Sequence, residues 1–338
     1  HGCSQPYLYK CRTPYPSMEK CCIVADVGGT HARFAFLDVS DDRCDIVYRK
    51  DYETDAWKSF RAMVSDFLSE VAGKYETVVY YGVCCGAGKV EQGRIKLTNA
   101  ALTIDSNELK RKTSLLHVEL LNDFFALSYG IERLSKKDMD VLNPTKRKGQ
   151  QPMAVLGAGT GLGEAMLIYN HAIKSYEASA TEGGHVDFPV HNEEDISLLR
   201  FLFEQTGRRR IVYEDVLSGR GLEHLYTFLA RGNTEGYLEA LPAEEISSQR
   251  RRNPYARDAF RTFYRYYGRA AKNLALQSLA GGGIYLAGGI VEKNLPVTKQ
   301  EFMREFLASD TFKEFLSSIP VAVIKNKDRK STRLNSSH

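Results

Sequence analysis

"AVLGAGTGLGEA" (residues 154–165) sets seven glycine or alanine residues and one threonine directly behind a short apolar run. "MAVL" reads as a buried strand, "GAGTG" as a turn and "LGEAMLIYN" as a second strand. "IVADVGGTHARFAF" (23–36) has the same grammar: a continuous apolar run, two glycines, then the alternating "HARFAFLDV". Strand, glycine turn, strand excludes two common phosphate motifs, because the Walker A loop and the dinucleotide fingerprint both lead from a strand into a helix. No G-x-x-x-x-G-K-[ST] occurs, and Leu162 stands where the last glycine of G-x-G-x-x-G belongs. A third cluster, "GGGIYLAGGIV" (281–291), also frames a strand.

The totals fit an enzyme-sized globular protein. The 338 residues suffice for two domains, or for one large domain with a cleft. Apolar residues make up 43% and charged residues 26%, so there is material for a core and bulk disorder is excluded. A net charge of +4 does not argue for nucleic acid or a membrane surface as a partner. The basic clusters at 146–148, 208–210 and 250–252 lack interleaved aromatic residues and read as solvated faces. All seven cysteines precede residue 86 and form no C-x-x-C pair, which argues against a zinc ribbon or a thioredoxin-type site. With no apolar window long enough to span a bilayer, the expectation is a reduced, cytoplasmic chain.

Helical periodicity is plain at 55–72, 122–134 and 194–206, and in a long segment opened by Asn253 as N-cap and Pro254 in the first turn. Alternating strands and helices, with the strand-turn-strand opening used twice, predict an α/β protein of two related halves. Two glycine turns facing each other across a cleft would bring bare backbone N–H groups to a phosphate chain from both sides.

Each candidate residue has a plain structural reading beside its chemical one. Gly28 and Gly29 suit a hairpin turn, yet Thr30 and Thr160 at the two apices add hydroxyl donors, and Asp26 adds a carboxylate able to hold Mg2+ through its water shell. In "HVELLNDFFAL" (117–127), Asn122 and Asp123 stand where a strand gives way to a helix. They read either as an N-cap or as a carboxylate ready to take a proton from a hydroxyl nucleophile. Glu182 and His185 in "TEGGHVDF", Glu214 in "YEDVLSGRGL" and Asn99 in "KLTNA" supply short polar side chains at loop positions. Carboxylates and amides of this kind suit the vicinal hydroxyls of a sugar, while a lone histidine is as well explained by structure.

"DVGGTHAR", "LTN", "LLNDFFAL", "GAGTGLG", "EGGHVDF", "VLSGRGL" and "LAGGIV", in this order, resemble bacterial-type glucokinases over residues 21–325. The resemblance implies a two-lobed actin-like ATPase (ribonuclease H-like) fold with a central interlobe cleft, and ATP-dependent phosphorylation of glucose at its 6-hydroxyl. It implies Asp123 as general base and Asn99, Asn122, Glu182, His185 and Glu214 as sugar contacts. Asp26, Gly28, Gly29 and Thr30 resemble the first phosphate loop with its Mg2+ partner and Gly159, Thr160 and Gly161 the second, and the resemblance implies that Gly288 and Gly289 would lie near the adenosine. A homodimer is implied in the same way. The expected division is a leader at 1–17, a small lobe at 18–133, a large lobe at 134–325 and an atypical tail at 326–338 in place of the family's terminal helix.

Three departures accompany the resemblance. No cysteine follows residue 85, which disfavours the related branch of kinases and repressors that carries a cysteine-rich zinc motif. Gly86 stands where proline is usual, and Leu102 where tryptophan is usual. The competing expectations are a kinase for another hexose, a sugar-binding regulator without turnover, and an actin-like or chaperone ATPase. The last gives no reason for the sugar-type polar cluster.

Overall fold

The apolar run ahead of each glycine turn is the central strand of its own sheet. The computed structural model describes residues 21–39, 44–97, 102–146, 148–231 and 241–325. The leader at 1–17 and the tail at 326–338 therefore lie outside the described residues. The chain folds as two compact units, His1–Leu127 and Ser128–His338.

In the first unit β1 (Cys21–Val27), β2 (His31–Val39), β3 (Cys44–Glu53), α1 (Phe60–Tyr75) and β4 (Tyr81–Gly86) are followed by the short strands β5 (Val90–Glu91), β6 (Arg94–Lys96) and β7 (Thr103–Asp105), then α2 (Ser106–Lys112), β8 (His117–Asn122) and α3 (Asp123–Gly130). The main sheet has the order β3-β2-β1-β4-β8, antiparallel on the β2 side of β1 and parallel on the β4 side. Phe60, Met63, Val64 and Phe67 of α1 are fully buried with Ile23 and Phe34, giving this unit its own apolar core. The periodic segment predicted from residue 55 starts as a helix only at Phe60, because the Ser59 side chain caps it by accepting the Ala62 N–H.

The second unit holds β9 (Met139–Asn143), β10 (Met153–Ala158), β11 (Leu162–Asn170), β12 (Ser175–Thr181), α4 (Glu193–Thr206), α5 (Gly219–Arg231), α6 (Ala243–Gln249), α7 (Pro254–Ser278), β13 (Gly283–Ala287), α8 (Gly289–Phe306), α9 (Lys313–Ser318) and β14 (Val321–Ile324). Its sheet runs β12-β11-β10-β13-β14-β9. The first five of these strands repeat the order and the directions of the first unit's sheet: two antiparallel pairings, then two parallel ones. Here the predicted relation between the halves is visible in strand order.

α7 is the spine of the second unit. Asn253 caps it by accepting the Tyr255 and Ala256 N–H groups, with Pro254 in the first turn as expected. Tyr264, Tyr266 and Tyr267 are fully buried, and each hydroxyl has a partner. Tyr264 donates to the Ile290 carbonyl, Tyr266 to Asp195, and Tyr267 to the Leu156 carbonyl of β10. Arg269, on the same helix, pairs with the fully buried Asp195 at 2.8 Å. A carboxylate so placed needs partners, and the His191 N–H adds another.

Candidate active site

The first glycine turn is closed by the Gly28 N–H donating to the His31 carbonyl at 2.9 Å. It is anchored from β3's end by Thr54, which is buried. The Thr54 hydroxyl donates to the Gly29 carbonyl at 2.6 Å and its N–H to the Thr30 carbonyl at 3.0 Å. Thr30 itself is exposed, so its hydroxyl faces solvent beside the two glycines. Sequence reading missed Thr54; a lone threonine ending a strand carries no pattern of its own.

Parallel pairing fixes what stands beside this turn. Asp26 of β1 is level with Cys85 of β4, and Cys85 with Leu121 of β8, two residues before Asp123. With about 4.8 Å between neighbouring strands, the columns of β1 and β8 lie about 10 Å apart. Asp26 and Asp123 sense each other's charge across that gap. Burial raises the Asp123 carboxyl above its ordinary range, the negative charge of Asp26 adds to the rise, and the hydrogen bond from the Phe124 N–H opposes it. Asp26 leaves 63% of its side chain to solvent, yet its surroundings still disfavour its charge; burial outweighs the opposing pull of Arg33 at 3.9 Å. The Cys85 thiol between them is pushed up to about 12 by burial and by both carboxylates, so it stays protonated and unreactive.

Of the two residues at Asn122–Asp123, the asparagine makes most of the capping bonds. Asn122 caps α3: its Oδ1 accepts the Phe124 N–H at 2.9 Å and the Phe125 N–H at 3.3 Å, and its Nδ2 donates to the Gly88 carbonyl. Asp123 accepts the Phe124 N–H at 3.0 Å and is half-buried. Asn99 lies outside the described residues. The segment carrying it starts and ends on two buried leucines, Leu97 and Leu102, joined by the Leu97 N–H to the Leu102 carbonyl. A Cβ at Gly86 would come within 2.7 Å of Leu97 Cδ2, so the glycine in place of the usual proline makes room for this leucine.

In the second unit three motifs converge on Leu162, Gly163 and Glu164 at the start of β11. The Gly159 N–H closes the second glycine turn on the Gly161 carbonyl at 2.9 Å, and the Gly219 N–H anchors it by donating to the Gly159 carbonyl at 2.8 Å. Glu214 Oε2 accepts the Leu162 N–H at 3.0 Å, and a Cβ at Gly161 would stand 2.5 Å from that same oxygen. Ser218, buried, donates to the Glu214 carbonyl and accepts the Gly221 N–H, which locks the "VLSGRGL" segment to the start of α5. The turn Gly183–His185 also rests against β11. A side chain at Gly184 would collide with the Leu162 carbonyl, and one at Gly183 with the Glu164 carboxylate. Glu182 and His185 stay exposed on that turn, linked by the His185 N–H to the Glu182 carbonyl. Gly288 adopts φ +99° where β13 leads into α8, and a Cβ there would run into the Ala158 carbonyl. Gly289 begins α8 directly after it.

The first unit thus groups Asp26, Gly28, Gly29, Thr30, Asn122 and Asp123 at one end of its parallel strands. The second groups Gly159, Thr160, Gly161, Glu182, His185 and Glu214 around one strand start, with Gly288 touching the same β10 end. Among the described residues no cluster of three or more His, Cys, Asp or Glu side chains is arranged to hold a metal ion, and no helix is long and apolar enough to cross a membrane. A lone carboxylate such as Asp26 fits Mg2+ all the same, because that ion keeps several waters and takes its remaining oxygens from substrate phosphates.

Mixed sheets that repeat one strand order, each with an anchored glycine turn, are the α/β architecture of sugar kinases, and solved glucokinases match it. A glucokinase from an Antarctic psychrotroph superposes with a TM-score of 0.80 at 27% identity, over 91% of this chain and 95% of that one. The glucokinase of Balamuthia mandrillaris, solved with glucose, shares the fold at a TM-score of 0.72 and 22% identity, over 91% and 90%. The Glucokinase family model matches residues 23–330, and the glucokinase of Nostoc punctiforme is 30% identical over 328 residues, 90% of this chain and 94% of the relative. The chain belongs to the glucokinase family.

Proposed function

We propose that the protein transfers the γ-phosphoryl group of ATP to the 6-hydroxyl of glucose, giving glucose 6-phosphate and ADP. The observation that carries this reading is the pairing of Asp123 with Asp26 at the end of parallel strands, beside an anchored glycine turn. Asp123 in its ionised form accepts the proton of the 6-hydroxyl as that oxygen bonds to the γ-phosphorus. The bond from phosphorus to the β,γ-bridging oxygen breaks, ADP leaves, and Asp123 returns its proton to solvent. In the turns closed by the Gly28 and Gly159 N–H groups, the backbone N–H groups of Gly29, Thr30, Thr160 and Gly161, with the hydroxyls of Thr30 and Thr160, hold the phosphate oxygens in this reading. Asp26 would hold Mg2+, and the ion would supply neutralisation of charge on the phosphates. Glu182, His185 and Glu214, with Asn99 and Asn122, take the sugar hydroxyls, and Gly288 and Gly289 border the adenosine.

The repeated strand order supports the actin-like, two-lobed architecture. Cysteine usage supports a reducing, cytoplasmic setting, since the five described cysteines are all free thiols. A homodimer is the expected assembly, and sedimentation at assay concentration decides it. The test of function is a nucleotide-coupled assay across hexoses. Glucose should give the highest kcat/KM. A markedly higher value for another hexose would reassign the substrate, and glucose binding without ADP release would make the chain a regulator.

A further inference from the structure

Glu164 is a carboxylate in the wrong place for a strand core. It lies on β11 among apolar neighbours with 7% of its surface exposed, and it belongs to none of the roles assigned above. In the sheet it sits between Leu156 of β10 and Thr181 of β12, its register partners. Its carboxylate occupies the space that a side chain at Gly183 would need, so the backbone of the Gly183–His185 turn rests directly on it. A second link runs through Thr181, the register partner of Glu164 on β12, whose hydroxyl favours the charged form of the carboxylate and whose oxygen accepts the Gly183 N–H at 3.2 Å. The turn that presents Glu182 and His185 is thus seated on one buried acid, by contact and through a hydroxyl.

We propose that Glu164 is a positioning residue for sugar binding: its ionised carboxylate holds the Thr181 hydroxyl as donor, leaving the Thr181 oxygen to fix the Gly183 N–H, and its protonation loosens the Glu182–His185 turn. The inference rests on the sugar-kinase reading above. An ionised acid can only accept, so Thr181 must donate to it. A protonated acid can donate to Thr181 instead, so the Thr181 oxygen must accept from the acid and from the Gly183 N–H together while its own hydrogen loses its acceptor. Burial pushes the Glu164 carboxyl up to about 7, against the lowering effect of the Thr181 bond, so the change falls within the range where the enzyme would work.

The titratable groups facing Glu164 are few. Tyr213 and Tyr267 interact with it, but both are buried with hydroxyls already bonded, Tyr213 to Asn273 and Tyr267 to the Leu156 carbonyl, and neither ionises near neutrality. β10 offers it only apolar side chains, and β12 the Thr181 hydroxyl. On the turn itself stand Glu182 and His185, with Glu214 on the next one, and these are the rival sources of any pH effect.

Calorimetric titration of glucose into the full chain, from about pH 6 to about pH 8.5, tests the proposal without relying on turnover. The wild type should bind about fivefold more weakly at the acid end, the weight of one hydrogen bond. Glu164→Gln should bind at the weaker level throughout, with no step. Thr181→Val should lose the step as well, and Thr181→Ser, which restores the hydroxyl, should keep it. Circular dichroism checks that each variant is folded; if Glu164→Gln is not, the Val and Ser pair at 181 decides. A step that survives in Glu164→Gln belongs to His185 or another group and overturns the proposal. So does pH-independent glucose binding by the wild type, which leaves the kinase reading intact. A wild type that neither binds glucose nor forms ADP with it sinks that reading and this inference together.

Discussion

Glu214 Oε2 accepts the backbone N–H of Leu162 at 3.0 Å, so a side chain expected at the sugar also closes the glycine turn expected at the phosphates. The two expected roles share one bond. Glu214→Ala should therefore raise KM for ATP as well as for glucose, each by about tenfold, the worth of one charge-assisted hydrogen bond. Glu182→Ala, on the exposed neighbouring turn, should raise KM for glucose alone. Steady-state kinetics with each substrate varied in turn checks the contrast, and an unchanged ATP KM in Glu214→Ala would show the bond to be incidental.

Asp123→Asn should lower kcat by about 10²- to 10⁴-fold while glucose still binds, as expected for removal of a general base. Because burial and Asp26 raise the Asp123 carboxyl, the wild-type rate should fall on the acid side at a higher pH than an ordinary carboxylate would give. The sign for stability is opposite to that for activity. A raised carboxyl favours folding while protonated, and that contribution is lost as pH rises through its folded value. Asp123→Asn should accordingly gain stability over the wild type with rising pH, read by thermal melts across the same buffers.

Gly288→Ala places a methyl group against the Ala158 carbonyl at a residue with φ +99°. Strain and overpacking together should cost about 2 to 4 kcal/mol. Urea unfolding measures it, and a loss within experimental error would mean that β13 and α8 can shift to make room.

Glu164→Gln should change stability in a pH-dependent way. The folded chain raises this carboxyl from 4.5 to about 7, so folding favours its protonated form. That benefit is complete below about 4.5 and is gone above about 7. An always-neutral glutamine should thus match the wild type in acid and exceed it at alkaline pH, by at most about 3 kcal/mol. Equal melting differences at both ends would refute the assignment of a strained buried charge.

Glycine punctuation made the framework legible. Apolar runs ahead of Gly28 and Gly159 could only be buried strands, and Asn253–Pro254 announced α7, because caps and turns are local chemistry. α8 was not legible: "GIVEKNLPVTKQEFMREF" carries Pro296 in its middle and no clean stripe, so it owes its helical state to packing, with Phe302 and Phe306 buried in the core. In the site, the ordered motifs pointed to the residues but not to their anchors. Thr54 and Gly219 act through backbone carbonyls far along the chain, contacts that no spacing encodes. Glu164 did leave a signal, a lone charge inside the otherwise apolar "LGEAMLIYN", which in a central strand has to be buried.

The spine helix has an optical consequence. Burial lifts the phenols of Tyr264, Tyr266 and Tyr267 above the ordinary tyrosine range. In alkali these three rings stay neutral while solvent-facing tyrosines ionise, and they follow only when α7 separates from its neighbours. The phenolate absorbance band is therefore a reporter already written into the chain: its late rise marks loss of core packing, with Tyr52 of the first unit adding its ring to these three, without any added label.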